Sequence, residues 1–339
     1  MKKILTMGEM LLRLKPTDHQ RIIQANTYDA NYGGSEANVA VSLALLGDDV
    51  SLLTKLPENA LGDTALNTVR QYGVKTSKIL RGGPRLGIYF FEKGASIRNT
   101  NVVYDRANSA FSTVKHDEFD WQQLLSDVDY FYFSGITAAL SDEIRLALLE
   151  ACKACKESGI TVVCDMNYRG KMWSAAAAQA CMKQLMPYIN ICIANDEDFE
   201  ATLGIKAFDG DMTRGIEQKK QFETAMRQVQ EAYPNCHIVA SVLRDIHSVE
   251  DSRWTAMMLH DGTVYEGPTY QMHVYEGVAG GDAFGAGLVH GLVNGFSLQE
   301  VIDYAITASA LKLTIPGDLN LVTDQDIRSA MQSGNSVNR

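Results

Sequence analysis

Short apolar runs alternate with longer amphipathic runs along most of the chain. The strand-like runs are Lys3–Met7, Val50–Lys55, Tyr130–Ser134, Thr161–Asp165, Ile189–Ala194 and Ile238–Leu243. Helices are predicted at Glu36–Leu46, Thr64–Tyr72, Asp142–Glu157 and Ala283–Val293, with two more after the capping residues Ser297 and Thr323. This alternation is typical of an α/β fold with a doubly wound, mainly parallel sheet and helices on both faces.

Two stretches interrupt the alternation. Leu11–Tyr32 and Arg85–Phe111 are polar and rich in tyrosine, and no helix separates their strand-like runs. We expect them to form a small β lid made from two separated segments. The α/β domain is then expected to span residues 1–333, with the lid segments 11–32 and 85–111 inserted in it, and Gly334–Arg339 is expected to be a frayed tail.

Charge and apolar run lengths exclude several classes of protein. The 339 residues carry a formal net charge of −10, so we expect no binding to nucleic acid or to an anionic membrane. Glu9 and Arg13 interrupt the first apolar run, which therefore lacks the core of a signal peptide. No run approaches the ~18 apolar residues that span a bilayer. We expect a cytoplasmic protein.

The cysteines suggest no metal or redox site. Cys152 and Cys155 form a C-x-x-C pair among six scattered cysteines. They lie on a predicted helix whose inner stripe contains Ile144 and Leu148, so we interpret them as small core residues. No second pair and no spaced histidines accompany them. Reduced thiols fit a cytoplasmic protein.

Two glycines and an aspartate lead into the predicted helix Ala283–Val293. A helix N-terminus offers unpaired N–H groups, and Gly280 and Gly281 let these amides come close to phosphate oxygens. Asp282 places a carboxylate beside them. Phosphoryl transfer to an alcohol needs both parts. Taken alone, however, such a motif is more simply interpreted as a helix cap.

Three motifs in order change that interpretation. They are GGSEANVA at Gly33–Ala40, NDED at Asn195–Asp198 and EGVAGGDAFGAG at Glu276–Gly287. With this spacing the sequence resembles the PfkB-type carbohydrate kinases of the ribokinase superfamily over nearly its whole length. The resemblance implies a ribokinase-like fold, ATP as the phosphoryl donor and Mg2+ as its companion ion.

By this resemblance, Asp282 is the general base that takes the proton from a sugar hydroxyl. The backbone N–H groups of Ala279, Gly280, Gly281 and Asp282 form the anion hole for the transferring phosphoryl group. The family has a glycine where this chain has Ala279. The alanine is tolerable only if that residue needs no positive φ.

The resemblance also implies a site for Mg2+. Asn195 and Asp198 would position the ion through water molecules. The family has glutamate where this chain has Asp198, which is one methylene shorter. The shorter side chain could weaken metal placement, or Glu197 could share the role.

Two further nucleotide-binding residues are expected at the strand Ile238–Leu243. One is Ser241, within the strand. Arg244, expected just after the strand, either reaches the ATP phosphates or pairs with Asp245. Leu311–Asp318 is expected to lie beside the adenine. Related kinases sometimes bind a monovalent cation near there, and the sequence leaves this open.

Other stretches are GEMLLRL at Gly8–Leu14, Gly87–Tyr89 with Val103–Arg106, Asp165–Arg169 with Trp173, Ser241–Asp245 and Thr314–Asp318. In these stretches the sequence resembles kinases of 2-keto-3-deoxygluconate, an acid sugar. Binding its carboxylate calls for guanidinium and phenol donors. The predicted set consists of Arg106 on the lid, Arg169 after a core strand, and the neighbouring Tyr89 and Tyr104. The alternatives are a solvated lid charge for Arg106, a surface ion pair for Arg169, and lid packing or a dimer contact for the tyrosines.

Gly34 and Asn38, at the start of the glycine-led helix, are expected to meet the hydroxylated part of the sugar. Phosphorylation is then expected at the terminal carbon 6 hydroxyl, near Asp282. Glu9 and Arg13 follow the first strand, with packing and substrate roles both open. In the family the β lids of two subunits often pair, so we expect a homodimer.

Three other functions are weighed against this kinase. A neutral-sugar kinase such as a fructokinase would share the motifs. A non-catalytic sugar or nucleotide sensor on the same fold would explain the departures at Ala279 and Asp198. A dinucleotide-binding dehydrogenase is excluded by position, because the first strand is followed by Gly8-Glu9 and not by a G-x-G-x-x-G turn.

Overall fold

The computed structural model describes residues 1–332, so the predicted frayed tail Gly334–Arg339 lies outside the described residues. The strands are β1 (Lys3–Met7), β2 (Leu11–Pro16), β3 (Tyr28–Gly33), β4 (Asp49–Leu53), β5 (Lys55–Leu56), β6 (Leu80–Arg81), β7 (Gly87–Glu92), β8 (Asn101–Asp105), β9 (Tyr130–Ser134), β10 (Thr161–Asp165), β11 (Ile191–Ile193), β12 (Ile238–Ile246), β13 (Asp251–His260), β14 (Thr263–Glu266) and β15 (Tyr270–His273). The α-helices are α1 (Ser35–Leu45), α2 (Ala60–Arg70), α3 (Trp121–Leu124), α4 (Gly135–Ala138), α5 (Asp142–Ser158), α6 (Ala175–Leu185), α7 (Asp198–Leu203), α8 (Lys219–Ala232), α9 (Gly280–Val293), α10 (Leu298–Lys312) and α11 (Asp324–Gln332).

The larger sheet has nine strands in the order β14-β13-β12-β11-β10-β9-β1-β4, with β15 also pairing β13. The six strands β4, β1, β9, β10, β11 and β12 run parallel to one another. Strands β13, β14 and β15 add an antiparallel edge next to β12. The predicted doubly wound, mainly parallel sheet is confirmed. The carboxyl ends of its parallel strands share one edge, where open α/β sheets bind their ligands.

Helices cover both faces of this sheet. Because successive side chains of a strand point to opposite faces, Phe131 and Phe133 of β9 pack on one side and Tyr132 on the other. The first side is covered by α5, α6 and α8, and the second by α1, α9 and α10. Burial on both faces explains why the central strands are continuous apolar runs in the sequence.

The two polar stretches form a separate four-stranded sheet, here called the small sheet. Its order is β3-β2-β7-β8, so each of the predicted lid segments supplies two strands. The pairing is antiparallel between β2 and β3 and between β7 and β8, and parallel between β2 and β7. The end of β3 leads directly into α1, which brings the small sheet next to the carboxyl edge of the larger one.

Several element boundaries differ from the predicted ones, among them the starts of α2 and α9 and the end of β12. Helix α2 begins at Ala60 because the side chain of Asn59 accepts hydrogen bonds from the amides of Leu61 and Gly62, both at 3.1 Å. Helix α9 begins three residues before the predicted Ala283. Strand β12 continues to Ile246 because it pairs with β13 along its whole length.

The cysteine interpretation agrees with the structure. Cys152 and Cys155 are both buried on α5 with free thiols, and burial raises the pKa of each. Among residues 1–332, no helix combines the length and apolarity that a membrane crossing requires.

Candidate functional site

A cavity of about 710 Å³ lies at the carboxyl edge of the larger sheet. The residues after β10 and β11, the end of β12 and the first turn of α9 form its walls. Asp282 lines this cavity together with Asp165, Arg169 and Asp198. The topology therefore gathers the predicted glycine–aspartate motif and several charged side chains at one place.

The Asp282 carboxylate is buried and held by two neutral donors from α1. Ser35 Oγ donates to Oδ1 and Asn38 Nδ2 donates to Oδ2, both at 2.7 Å. Burial raises the pKa of Asp282, while these two hydrogen bonds oppose the rise. Asp282 forms no ion pair within the described part of the chain, so its charge stays available for a proton.

A buried glutamate fixes the start of α1. Glu36 Oε1 accepts hydrogen bonds from Ser134 N at 2.9 Å, Ser134 Oγ at 2.6 Å and Thr137 Oγ1 at 2.8 Å. The carboxyl group rests against Gly8, where an added Cβ would lie 2.0 Å from Oε2. This packing sets the direction from which α1 presents its donors to Asp282.

The turn before α9 corrects one expectation. Ala279 is the N-cap of α9 with φ 59° and ψ 17°, so it adopts the left-handed conformation that the sequence analysis required it to avoid. A non-glycine residue there costs roughly 1–2 kcal/mol. Ala279 and the first residues of α9, Gly280, Gly281 and Asp282, line the cavity. A Cβ on Gly281 would meet nothing within 4 Å, whereas one on Gly280 would approach Leu313 at 3.2 Å.

Asn195 and Asp198 line the cavity but use their side-chain oxygens to brace its wall. Asp198 accepts hydrogen bonds from Tyr168 N at 2.8 Å and from its neighbour Asn195 N at 2.9 Å. Asn195 Oδ1 accepts from Val242 N at 2.8 Å. Burial raises the pKa of Asp198 to about 6. Glu197 is exposed on the same wall.

Arg244 lies within β12 and not after it, and its partner is not the one considered in the sequence analysis. It pairs with Asp196 and lies over the Trp254 ring at 5.3 Å. The suggested pairing with Asp245 is wrong, because Asp245 pairs with Arg253. Burial lowers the pKa of Arg244 to about 10. Its guanidinium faces the cavity, as a phosphate-binding role requires.

The structure does not bring Ser241 to the cavity. Its side chain is fully buried and its hydroxyl donates to the carbonyl oxygen of Ala194, the residue that follows β11. Ser241 thus joins β11 to β12 inside the sheet. The neighbouring Val242 lines the cavity instead, because side chains alternate along β12.

Gly34 and Asn38 lie beside Asp282 at the junction of the small sheet and α1. Gly34 N donates to Asn38 Oδ1 at 3.3 Å, which leaves Nδ2 of Asn38 for Asp282. A Cβ on Gly34 would come within 2.0 Å of the carbonyl oxygen of Glu9. The close approach of two backbone segments therefore requires glycine at this position.

The aromatic and basic residues of the small sheet form a group. The rings of Tyr89 and Tyr104 have centroids 6.1 Å apart, and the Arg106 guanidinium lies 5.5 Å from the Tyr104 centroid. Tyr89 donates its hydroxyl to Asp318 Oδ1 at 2.8 Å. Arg106 is paired with Glu9, which the sequence analysis did not anticipate.

Arg169 lines the cavity and is exposed, and within the described residues it forms no ion pair. Its only hydrogen bond shown by the structure goes to the carbonyl oxygen of Tyr168, at 2.8 Å. Its loop contacts the small sheet at two points. Lys171 Nζ donates to the carbonyl oxygen of Val102 at 3.0 Å, and Arg106 lies 3.7 Å from the sulfur of Met172.

Sequence reasoning missed three residues of this site. Ser35 holds Asp282, as described above. Asp165 ends β10 in the cavity, and its buried Oδ1 has no hydrogen-bond partner in the described chain. Asn167 Nδ2 donates to Asp165 Oδ2 at 3.1 Å. Burial, and then the neighbouring Asp198, raises the pKa of Asp165. The available signal was a carboxylate that ends a core strand.

Comparisons with known proteins identify carbohydrate kinases as relatives of this chain. The family model of the pfkB family carbohydrate kinases matches residues 1–324. A 2-dehydro-3-deoxygalactonokinase of Haloferax volcanii is 30% identical over 334 residues, which cover 98% of each chain. A crystal structure of 2-dehydro-3-deoxygluconokinase from Thermotoga maritima is 41% identical, with 98% of this chain and 100% of that one covered and a TM-score of 0.93. A fructokinase from Xylella fastidiosa, solved with bound ATP, is 19% identical with a TM-score of 0.77 and 97% and 98% coverage, which shows the fold alone.

Proposed function

Since the chain belongs to the pfkB family of carbohydrate kinases, we propose that it phosphorylates 2-keto-3-deoxygluconate, also called 2-dehydro-3-deoxygluconate. The donor is ATP, the acceptor is the terminal carbon 6 hydroxyl, and the products are the 6-phosphate and ADP. One observation carries the proposal: a buried Asp282 carboxylate, held only by neutral donors, shares its cavity with the unpaired Arg169.

In this proposal Asp282 takes the proton from the carbon 6 hydroxyl as its oxygen attacks the γ-phosphorus of ATP. The new oxygen–phosphorus bond forms as the bond to ADP breaks. The amides of Gly280, Gly281 and Asp282 stabilise the charge on the transferring group, because the first N–H groups of a helix have no intrahelical partners. The raised pKa of Asp282 makes it a stronger base than an exposed aspartate.

The residues present fit a magnesium ion that arrives with the nucleotide. Buried carboxylate oxygens of Asp165 and Asp196 lack hydrogen-bond partners in the described chain. No three histidine, cysteine or acidic side chains of residues 1–332 are placed to hold a metal by themselves. Mg2+ usually takes one or two carboxylates and completes its shell with water and substrate phosphates. When bound, it would neutralise phosphate charge, with Asn195 and Asp198 positioned to act through water.

The remaining residues of the proposal contact the phosphates of ATP or the sugar. Arg244 faces the cavity and would contact the phosphates. Arg169 would bind the substrate carboxylate, because its guanidinium has no carboxylate partner among the described residues. Tyr89, Tyr104 and Arg106 would close over the sugar from the small sheet. Gly34 and Asn38 would meet its hydroxyl groups.

The similarity to enzymes named for acid sugars, at 30% and 41% identity, favours this substrate over a neutral hexose. These two names denote the galactonate and the gluconate compound. The fructokinase likeness extends to the fold only. A non-catalytic sensor is disfavoured because Asp282 keeps its free charge in the cavity.

We further propose a homodimer formed through the small sheet. Apolar side chains are exposed on this sheet and its connections: Ile23 at 87%, Ile97 at 97% and Val103 at 47%. Strands β3 and β8 are free edges in the order of this sheet. Pairing of two copies would cover these side chains and at least one edge, which isolated proteins otherwise protect.

A coupled ADP-release assay tests the proposed activity. The panel contains both keto-deoxy epimers, gluconate, fructose and ribose, each with ATP and Mg2+. We expect phosphorylation of a keto-deoxy acid with kcat/KM at least about 100-fold above that for fructose, as a charge-assisted contact to the carboxylate would give. Equal rates with fructose would identify a neutral-sugar kinase. No turnover with any sugar, together with retained binding, would identify a sensor.

A further inference from the structure

Lys312, the last residue of α10, is fully buried in the segment where the family resemblance leaves a monovalent cation open. Its Nζ donates to the carbonyl oxygen of Ile315 at 3.0 Å. The backbone around it is tight, with Ile315 N donating to the Lys312 carbonyl oxygen at 3.0 Å. A positive charge is therefore built into this turn by the chain itself.

The carboxylates around this lysine already have partners. Glu276 Oε1 lies 2.6 Å from Arg13 Nη1, and Oε2 accepts from Lys15 Nζ at 2.9 Å. Asp318 Oδ2 lies 2.9 Å from Arg13 Nε. Arg13, Glu276 and Asp318 are buried. We call Arg13, Glu276, Asp318 and Lys312 the buried cluster, which carries two positive and two negative charges, while the part-buried Lys15 also pairs with Asp29 at 3.5 Å.

This arrangement does not fit an additional alkali cation. Such an ion needs several carbonyl or carboxylate oxygens to replace its water shell. Here ammonium and guanidinium groups already occupy the oxygens of Glu276 and the carbonyl of Ile315. A further unit charge would also lie near the buried ammonium of Lys312 and the buried guanidinium of Arg13, and repulsion between buried charges is weakly screened.

The same turn supports the start of α9. The carbonyl oxygen of Leu313 accepts from Tyr275 N at 2.8 Å and from Glu276 N at 3.2 Å. Gly317 N donates to Glu276 Oε1 at 3.2 Å, and the Leu313 side chain packs against Gly280. A charge that orders this turn therefore also orders the peptides that precede the amides of Gly280 and Gly281.

We propose that the ammonium group of Lys312 takes the place of a monovalent cation in this kinase, so that the turn before α9 is held without potassium or sodium. The inference rests on the proposed kinase site, and it names Lys312 as a positioning residue. Burial lowers the pKa of Lys312 to about 8, against the opposing effect of Asp318 and Glu276, so the ammonium form predominates at pH 7.

The first test compares salts on the wild-type protein at pH 7 and constant ionic strength. KCl, NaCl and tetramethylammonium chloride are each used with whichever sugar acid the enzyme phosphorylates. We expect kcat and Tm to agree within about twofold and about 1 °C, because a salt that does not bind the folded state does not stabilise it. Stimulation by KCl of about fivefold or more would overturn the proposal.

The second test removes the built-in charge. We expect Lys312→Met to lose about tenfold or more in kcat, and KCl or NH4Cl to restore part of this loss and to raise its Tm. Lys312→Arg is the matched control, which should stay indifferent to KCl. A folded Lys312→Met that is fully active, or that gains neither rate nor Tm with KCl, contradicts the proposal.

These measurements separate the two proposals. If the wild-type protein phosphorylates no sugar, the proposed function fails, while the Tm values of wild type and Lys312→Met in KCl and tetramethylammonium chloride still test the lysine. A potassium-dependent Tm in the wild type would then overturn the inference. If Lys312→Met does not fold, the wild-type salt comparison decides alone.

Discussion

Two groups of charged side chains meet at the turn before α9, and they are arranged in opposite ways. In the cavity, Asp282 and Arg169 interact electrostatically, but each has only neutral hydrogen-bond partners. Behind the turn, the buried cluster pairs Arg13 with both Glu276 and Asp318. The charges in the cavity therefore remain free to bind a ligand, whereas Arg13, Glu276 and Asp318 of the cluster are paired with one another.

The difference indicates separate tasks for the two groups. A buried ion pair contributes little net stability compared with apolar packing, but removing one partner is costly because the other charge stays buried. The cluster is therefore expected to fix geometry. An unpaired charge in a cavity gains its partner only when a ligand arrives, so such charges are expected to affect binding and turnover more than folding.

The largest expected effect comes from Asp282→Asn. Losing the proposed general base should lower kcat by about 100- to 10,000-fold, because the amide cannot accept the hydroxyl proton. Isothermal titration should show ATP and sugar binding within about threefold of wild type. A variant that kept more than about a tenth of the turnover would show that Asp282 is not the base.

Arg13→Met tests the buried cluster. It leaves Glu276 and Asp318 without their guanidinium partner, so we expect the free energy of unfolding to fall by about 3–5 kcal/mol in urea titrations. The control is Arg85→Met, which breaks the exposed pair with Asp105 and should change stability little. Similar small losses in both variants would remove the contrast between cluster and surface.

Arg169→Ala tests the cavity side of the comparison. We expect KM for the sugar acid to rise by about 10- to 100-fold, since a charge-assisted contact contributes ~1.5–3 kcal/mol. The Tm should not change, because the structure shows no carboxylate partner that the variant would leave buried. Arg106→Ala is the informative counterpart: it leaves Glu9 unpaired and should lower Tm as well. A twofold or smaller change in KM, taken as about the assay limit, would remove the carboxylate role from Arg169.

The pH dependence of the cluster follows from Lys312. Its pKa lies near 8 in the folded chain, lowered by burial, so the ammonium group loses its proton as pH rises through about 8. Arg13 favours this loss, whereas Glu276, Asp318 and Asp282 oppose it. We expect wild-type kcat to acquire a KCl response above about pH 8, while Lys312→Arg shows none. A KCl response that is equal at pH 7 and pH 9 would contradict this.

The smallest expected effect is that of Ala279→Gly. Glycine adopts positive φ without steric cost, so the free energy of unfolding should rise by about 1 kcal/mol or less, with turnover within about twofold. Ala283→Gly, in the helical part of α9, should instead lose stability. If both variants lost stability equally, the left-handed turn at Ala279 would not be strained.

The sequence was sufficient for the features that local pattern controls. Short apolar runs predicted the strands Lys3–Met7, Tyr130–Ser134 and Thr161–Asp165 at the observed bounds. The glycine–aspartate motif and its two companion motifs led to the right family. The strands follow from neighbouring residues alone, whereas the family follows from the order and spacing of three motifs along the chain.

Pairing between distant charges could not be predicted in the same way. Arg106 reaches Glu9 across 97 positions of sequence, and Lys15 reaches Glu276 across 261. The order of strands decides which charges meet, and a solvated arginine and a buried one look alike in the sequence. The conformation of Ala279 was also out of reach, because packing around α9 imposes it against the preference of the residue.

The contacts of Lys171 with Val102 and of Arg106 with Met172 have one more consequence. They attach the loop that bears Arg169 to β8, the outer strand of the small sheet, so the positions of Arg169 and Arg106 both depend on that strand. If two copies join through their small sheets, dimer formation and binding of the acid sugar are coupled. Loosening the dimer would then weaken substrate affinity without touching any residue of the cavity.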